Sequence, residues 1–230
     1  MAARFEELDF QQTPVGEISL RRRYDLTAQT DLYEVRLGEE YLMSSLFTAA
    51  EKALATLGLD ALDRDGARVL VGGLGLGYTA HTALNDPRVA ELTVMDVAEP
   101  VLDWHRRGLL PETAGLATDP RCHLVLRDFF QLVTTEPETT YDAILLDVDH
   151  TPRHVLHPSH ADFYTPAGLR AMRRHLSPGG QFALWSDDPP DPAFEAVLAQ
   201  VFDSTEAEVV AFANPLTGGE SSNTIYLAAG

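Results

Sequence analysis

The stretch Val69-Leu70-Val71-Gly72-Gly73-Leu74-Gly75-Leu76-Gly77-Tyr78 concentrates the residues able to do chemistry. An apolar strand-like run enters glycines spaced G-x-G-x-G at 73, 75 and 77. Lacking a β-carbon, such a turn bends sharply and lets a ligand approach the backbone. The helix that follows offers its N-terminus to negative or electron-rich groups. A dinucleotide fingerprint needs G-x-G-x-x-G, and Tyr78 stands where its third glycine belongs. No Gly-Lys-Ser/Thr follows, so the turn is not a P-loop. Asp96 closes the next apolar run, Leu92-Thr93-Val94-Met95. A carboxylate at such a strand tip accepts hydrogen bonds from ribose hydroxyls, or simply caps a loop. Asp128-Phe129 follows a third run, His123 to Leu126, and could serve an adenine amino group and its ring. His150, His154, His157 and His160 share one loop broken by Pro152 and Pro158. Imidazole ligates zinc, but this spacing matches no closed zinc pattern and no cysteine is near, so no metal is expected. His150 is the favoured histidine for a base or substrate contact, the others being loop or capping residues.

These tips must be positioned by alternating strands and helices. Apolar runs at 69–71, 92–95, 123–126, 141–146, 181–185, 208–212 and 224–227 predict seven strands. Helical patterns separate the first five, which implies a doubly wound, mostly parallel α/β sheet with an antiparallel pair at its edge. Thr165-Pro166 predicts a helix start, and Phe194, Val197, Leu198 and Val201 form the stripe of the last helix. Glu220 to Asn223 reads as the final hairpin turn. Ahead of Arg68, residues 1–57 read as a small β-hairpin segment followed by a helix from Ser45 to Leu57 that Gly58 stops; residues 58–230 read as the ligand-binding domain.

Thirty-five acidic residues face 17 basic ones among 230, a formal charge of −18. That balance disfavours a phosphate-backbone binder, and Arg21-Arg22-Arg23 reads as a solvated strand. It tolerates cationic substrates such as polyamines. The single cysteine, Cys122, suits a reducing cytoplasm. No apolar run is long enough to span a bilayer, and MAARFEELDF holds no signal-peptide core, so no membrane partner is expected.

The chain resembles the class I S-adenosylmethionine (SAM)-dependent methyltransferase superfamily, and within it the spermidine synthases and spermidine-synthase-like proteins. The stretches VLVGGLGLG, ELTVMDVAEPVLDWHRRGLLP, DPRCHLVLRDFF, YDAILLDVDHTP and DFYTPAGLRAMRRHLSPGG carry the likeness. The resemblance implies that Gly73, Leu74, Gly75 and Gly77 cradle the methionine part, Asp96 and Val97 hold the ribose, and Asp128 with Phe129 binds adenine. It implies SAM or decarboxylated SAM as the bound nucleoside and a small-molecule acceptor such as an amine. Relatives are commonly dimers, so a homodimer is implied too. Asp147 matches the acid that deprotonates or orients an attacking amine, with His150 and Tyr164 as further catalytic candidates. The departures are Gly75, where spermidine synthases carry an acid, and Asp147-Val148-Asp149-His150 in place of Asp-x-x-Asp-Pro. Ser44-Ser45 also stands in place of a Tyr-His pair. They favour methyl transfer to a small molecule over aminopropyl transfer, with a non-catalytic nucleoside binder as the third reading.

Overall fold

A computed structural model describes residues 5–13 and 16–230; residues 1–4, part of the stretch read for a signal-peptide core, and residues 14–15 lie outside the described residues. Strands β1 (Phe5–Thr13), β2 (Gly16–Asp25), β3 (Thr30–Leu37) and β4 (Glu40–Ser44) form an antiparallel sheet in sequence order, larger than the expected hairpin. Gly38, at φ 57°, makes the tight turn between β3 and β4. The arginine triplet lies on β2 and is neutralised within the sheet: Arg21 pairs with Glu7, Arg22 with Glu6, and Arg23 with both Asp25 and Glu34.

Helix α1 (Ala49–Asp60) leads into β5 (Ala67–Gly72), α2 (Tyr78–Leu84), β6 (Val89–Asp96), α3 (Glu99–Arg106), β7 (Cys122–Leu126) and α4 (Phe129–Thr134). Then come β8 (Tyr141–Leu146), α5 (Pro166–Arg173), β9 (Leu176–Ser186), α6 (Pro192–Leu198), β10 (Ser204–Asn214) and β11 (Gly219–Ala229). The seven-stranded sheet runs β10-β11-β9-β8-β5-β6-β7. Strands β5 to β9 pair in parallel with one another, and β11 is antiparallel to both β9 and β10. The chain winds outward from β5 to β7, then returns to lay β8 beside β5 on the other side. A crevice forms at the carboxyl ends of the strands at such a switch point.

Three expectations are corrected. Helix α1 starts at Ala49 rather than Ser45 and runs two residues past Gly58. Gly58 does not stop it: an added β-carbon would lie 2.5 Å from Leu145 Cδ2 and 2.9 Å from the Ala183 β-carbon. The glycine lets α1 sit close on β8 and β9. Glu220 to Asn223 lies within β11, and the turn occupies 215–218. Helix α4 went unread because six residues give too little periodicity.

One buried cluster joins Ile18, Leu20 and Val35 of the small sheet to Leu54 and Leu59 of α1 and to Val69, Val71 and Leu145 of the large sheet. We propose on that ground that residues 1–57 are an appendage of the 58–230 domain and not a second folding unit. Among the described residues, no helix is long and apolar enough to cross a membrane.

Candidate functional site

A cleft of about 1090 Å³ opens over the carboxyl ends of the parallel strands. Its walls include Met43 and Phe47, the glycine turn, the 148–160 loop, and Phe212, Ser221 and Ser222 from the β10–β11 hairpin. Phe47 and Phe212 touch at a 5.7 Å ring separation and tie the front segment to that hairpin.

Gly73, Gly75 and Gly77 all have positive φ, at 93°, 46° and 87°. The turn is pinned on both sides: the Gly73 N–H donates to the Met95 carbonyl at 2.9 Å, and the Asp147 N–H to the Gly72 carbonyl at 2.8 Å. Gly73, Leu74 and Gly75 line the cleft. At Gly75 the sulfur of Met43 lies 2.5 Å from where a β-carbon would stand, and it accepts the Leu76 N–H at 3.1 Å. Gly77 differs from its expected role, because it lies off the cleft wall. It opens α2, where an added β-carbon would meet His105 Cε1 at 2.6 Å. Its smallness serves packing of α2 on α3.

Asp96, at the tip of β6, accepts the Leu74 N–H at 3.0 Å and the Ala98 N–H at 2.8 Å, one on each carboxylate oxygen. Burial pushes its pKa up against these backbone donors. Each oxygen can accept twice, so lone pairs remain for ligand hydroxyls. Val97 beside it is half exposed and lines the cleft. Asp128 caps α4, with Oδ1 taking the Phe130 and Gln131 N–H groups at 2.8 and 3.2 Å. Phe129 is buried edge-on to Phe130 and Phe163 and fills the space above Gly72. Gly73, Leu74, Gly75, Asp96, Val97, Asp128 and Phe129 thus share one cleft.

Asp147, just beyond β8, accepts a hydrogen bond from the Thr79 hydroxyl at 2.8 Å. That hydroxyl also lies 3.2 Å from the Glu51 carbonyl. Glu51, in the first turn of α1, lines the cleft with Asp147. Sequence reasoning missed Glu51, whose only signal is a charge at the start of an otherwise apolar helical stripe. Burial pushes the Glu51 carboxyl up to about 8, and the Asp147 charge adds to the rise. Burial also raises Asp147, to about 6, while Thr79 holds it down. The folded protein keeps a proton on Glu51 that the unfolded chain releases near 4.5, so stability falls as pH rises from there towards 8. Glu51→Gln should therefore melt nearly level with the wild type at pH 4.5 and several degrees above it at pH 8.5, the gap widening as pH rises between them. A thermal-shift series across that range measures this; an offset independent of pH would contradict it.

His150 lines the cleft and sits 3.1 Å from Glu40. Tyr164 does not line it. Its buried hydroxyl donates to Asp149 Oδ2 at 2.8 Å, which makes it a positioning group rather than a residue facing the substrate. Asp149 is itself buried and also accepts the Leu156 N–H at 2.7 Å. His160 Nδ1 lies 2.8 Å from Asp149 Oδ1. His154 stands 3.8 Å from Asp188, and His157 bonds Ser159, so the four histidines point to four different partners.

This parallel sheet, with its crevice at the switch point and acids at successive tips, is a class I methyltransferase-like fold. The model of the spermine/spermidine synthase domain matches residues 48–216, and the chain belongs to that family. It is 30% identical over 113 residues to putrescine N-methyltransferase 2 of Nicotiana tabacum, covering 49% of this chain and 30% of that one. It is 30% identical over 141 residues to the polyamine aminopropyltransferase of Nitrosomonas europaea, covering 60% and 42%. The corresponding match to the Mycobacterium tuberculosis (strain H37Rv) polyamine aminopropyltransferase spans 129 residues, 54% of this chain and 24% of that one. The chain therefore spans less than half the length of these curated relatives. The spermidine synthase from Thermotoga maritima superposes with a TM-score of 0.75 at 19% identity, covering 97% of this chain and 72% of that one. A spermidine synthase bound to the transition-state analogue AdoDATO gives 0.73 at 19% identity, with the same coverage.

Proposed function

We propose that the chain transfers an aminopropyl group from decarboxylated SAM to a small amine of the di- or polyamine type. The observation that carries this reading is the charge of the cleft. Asp96, Asp128, Asp147 and Asp187 line it beside the protonated Glu51, and Arg127 is the one guanidinium among the described residues that line it. Such a lining favours cations, and both donor and acceptor would be cationic. The donor set fits an adenosyl sulfonium: a glycine cradle, acceptor capacity on Asp96 for hydroxyls, and an open Asp128 Oδ2. Gly73 to Gly75 would hold the chain bearing the sulfur, Asp96 the ribose, and Asp128 with Val97 the base.

The sulfonium, when bound, supplies a carbon whose bond to sulfur breaks as the amine nitrogen attacks, leaving a neutral thioether. The protein's part is to align amine and carbon, to exclude water and to take a proton. Alignment of this kind supplies on the order of 7–11 kcal/mol. Asp147 would take the amine's proton, since its raised pKa suits a base working near neutrality. The neighbouring Glu51, protonated, would accept a hydrogen bond from the ammonium group on its carbonyl oxygen. His150 would contact the acceptor at the rim.

Methyl transfer, the first expectation from the sequence, is not singled out by the relatives, which include both reactions. It stays as the second reading because of one observation. Met43 fills the space at Gly75 where an acidic side chain would stand, so the turn sets no charge against a donor carboxylate. A cytoplasmic setting and a homodimer accompany either reading as proposals. The test is incubation with putrescine and each nucleoside in turn. Release of 5′-methylthioadenosine from decarboxylated SAM is expected. S-adenosylhomocysteine from SAM instead would reverse the order of the two readings, and neither product would leave a nucleoside-binding protein.

A further inference from the structure

The mechanism above leaves several cleft groups without a task, one of them an imidazole held by a buried acid. His160 lines the cleft and stacks on Phe130 at a ring separation of 3.8 Å and 19° between planes. Phe130 follows Asp128-Phe129 directly and lines the same end of the cleft, beside Gln131. His160 is held from behind. Its Nδ1 lies 2.8 Å from Asp149 Oδ1, while Oδ2 of that carboxyl takes the Tyr164 hydroxyl and Oδ1 also takes the Leu156 N–H. An ionised carboxylate only accepts, so Nδ1 carries the proton, and in the neutral ring Nε2 is left as a lone-pair acceptor. Nε2 has no partner among the described residues, whereas Nδ1, both oxygens of Asp149 and the Tyr164 hydroxyl are all engaged.

Resting on the adenosyl reading of the cleft, we propose that His160 is a specificity-determining residue. With its tautomer set by Asp149 and Tyr164, it presents Nε2 as an acceptor to the exocyclic amine of the purine. An amine at the purine 6-position donates to that lone pair; a 6-oxo group sets a second acceptor against it. The Phe130 stack limits ring rotation and keeps the acceptor in place. Tyr164, placed among the catalytic candidates by sequence, acts here two steps back from the ligand.

The test compares 5′-methylthioadenosine with 5′-methylthioinosine by titration calorimetry on the full chain. Wild type should prefer the adenine compound. His160→Phe keeps an aromatic ring on Phe130 but removes the acceptor, and should lower that preference roughly tenfold. His160→Gln, which can present a carbonyl acceptor, should restore part of it. A His160→Phe variant with undiminished preference would overturn the proposal. So would one that weakens both ligands equally, since that marks a packing role. If wild type bound neither compound, the adenosyl reading would fail along with it, which separates the two failures.

Discussion

Asp147→Asn should lower kcat by about 10²–10⁴-fold in the proposed transfer while leaving the affinity for 5′-methylthioadenosine nearly unchanged. The asymmetry follows from where the carboxyl sits. It stands beyond the tip of β8, bonded to Thr79 and facing Glu51, and it makes no bond to the turn residues 73–75. A base must be unprotonated to work, so wild-type kcat/KM should rise with pH through about 6, the value to which burial lifts Asp147. Glu51, raised to about 8, stays protonated over that rise and keeps a single negative charge on the pair. The asparagine variant should lose this limb, because no ionisation remains at the position. Initial rates from pH 5 to 9 measure both effects. A variant within a factor of ten of wild type, with the limb intact, would remove Asp147 from the role of base.

Gly73→Ala should be the most damaging single methyl addition to the turn. The added carbon would stand 1.9 Å from the Asp147 carbonyl oxygen, which is backbone and cannot swing aside, at a φ of 93° that alanine rarely adopts. Both strands must move apart at the point where Gly72 and Asp147 are hydrogen-bonded. The expected cost is more than about 3 kcal/mol, with loss of nucleoside binding in whatever remains folded. Gly77→Ala is the control. Its clash is with the side chains of His105 and Leu116, away from the cleft, so it should destabilise the fold yet leave the folded fraction able to bind. Urea unfolding followed by ligand titration separates the two. Equal binding by both variants would mean that the turn at Gly73 does not shape the ligand site.

The strand tips were legible because each combines an apolar run with a residue that has a local reason to be there. Glycines end β5, Asp96 ends β6 and Asp147 follows β8. The doubly wound, mostly parallel sheet followed from the same alternation, down to the antiparallel pair at the edge. What stayed hidden depends on how elements cross. Glu51 reaches the cleft only because α1 lies tight on β8 and β9, and Gly58, read as a helix stop, is what permits the approach. Met43 fills the Gly75 site from a separate sheet, a contact 32 residues apart along the chain. Tyr164 looked like a site residue because the DFYTP segment resembles that of the spermidine synthases, and Asp149 stood out only as a departure from their motif. Burial turned both inward, where they bond each other and leave His160 to face the cleft. Asp128 caps α4 through one oxygen while its second stays open to the cleft, and the cap went unread.

The adenosine grip is the premise on which donor, acceptor and base all rest. Titration calorimetry of the full wild-type chain with 5′-methylthioadenosine tests it most directly. Saturable one-to-one binding that Asp96→Ala weakens by roughly 100-fold is the predicted result. No heat from the wild type, or equal affinity in the alanine variant, would contradict the account.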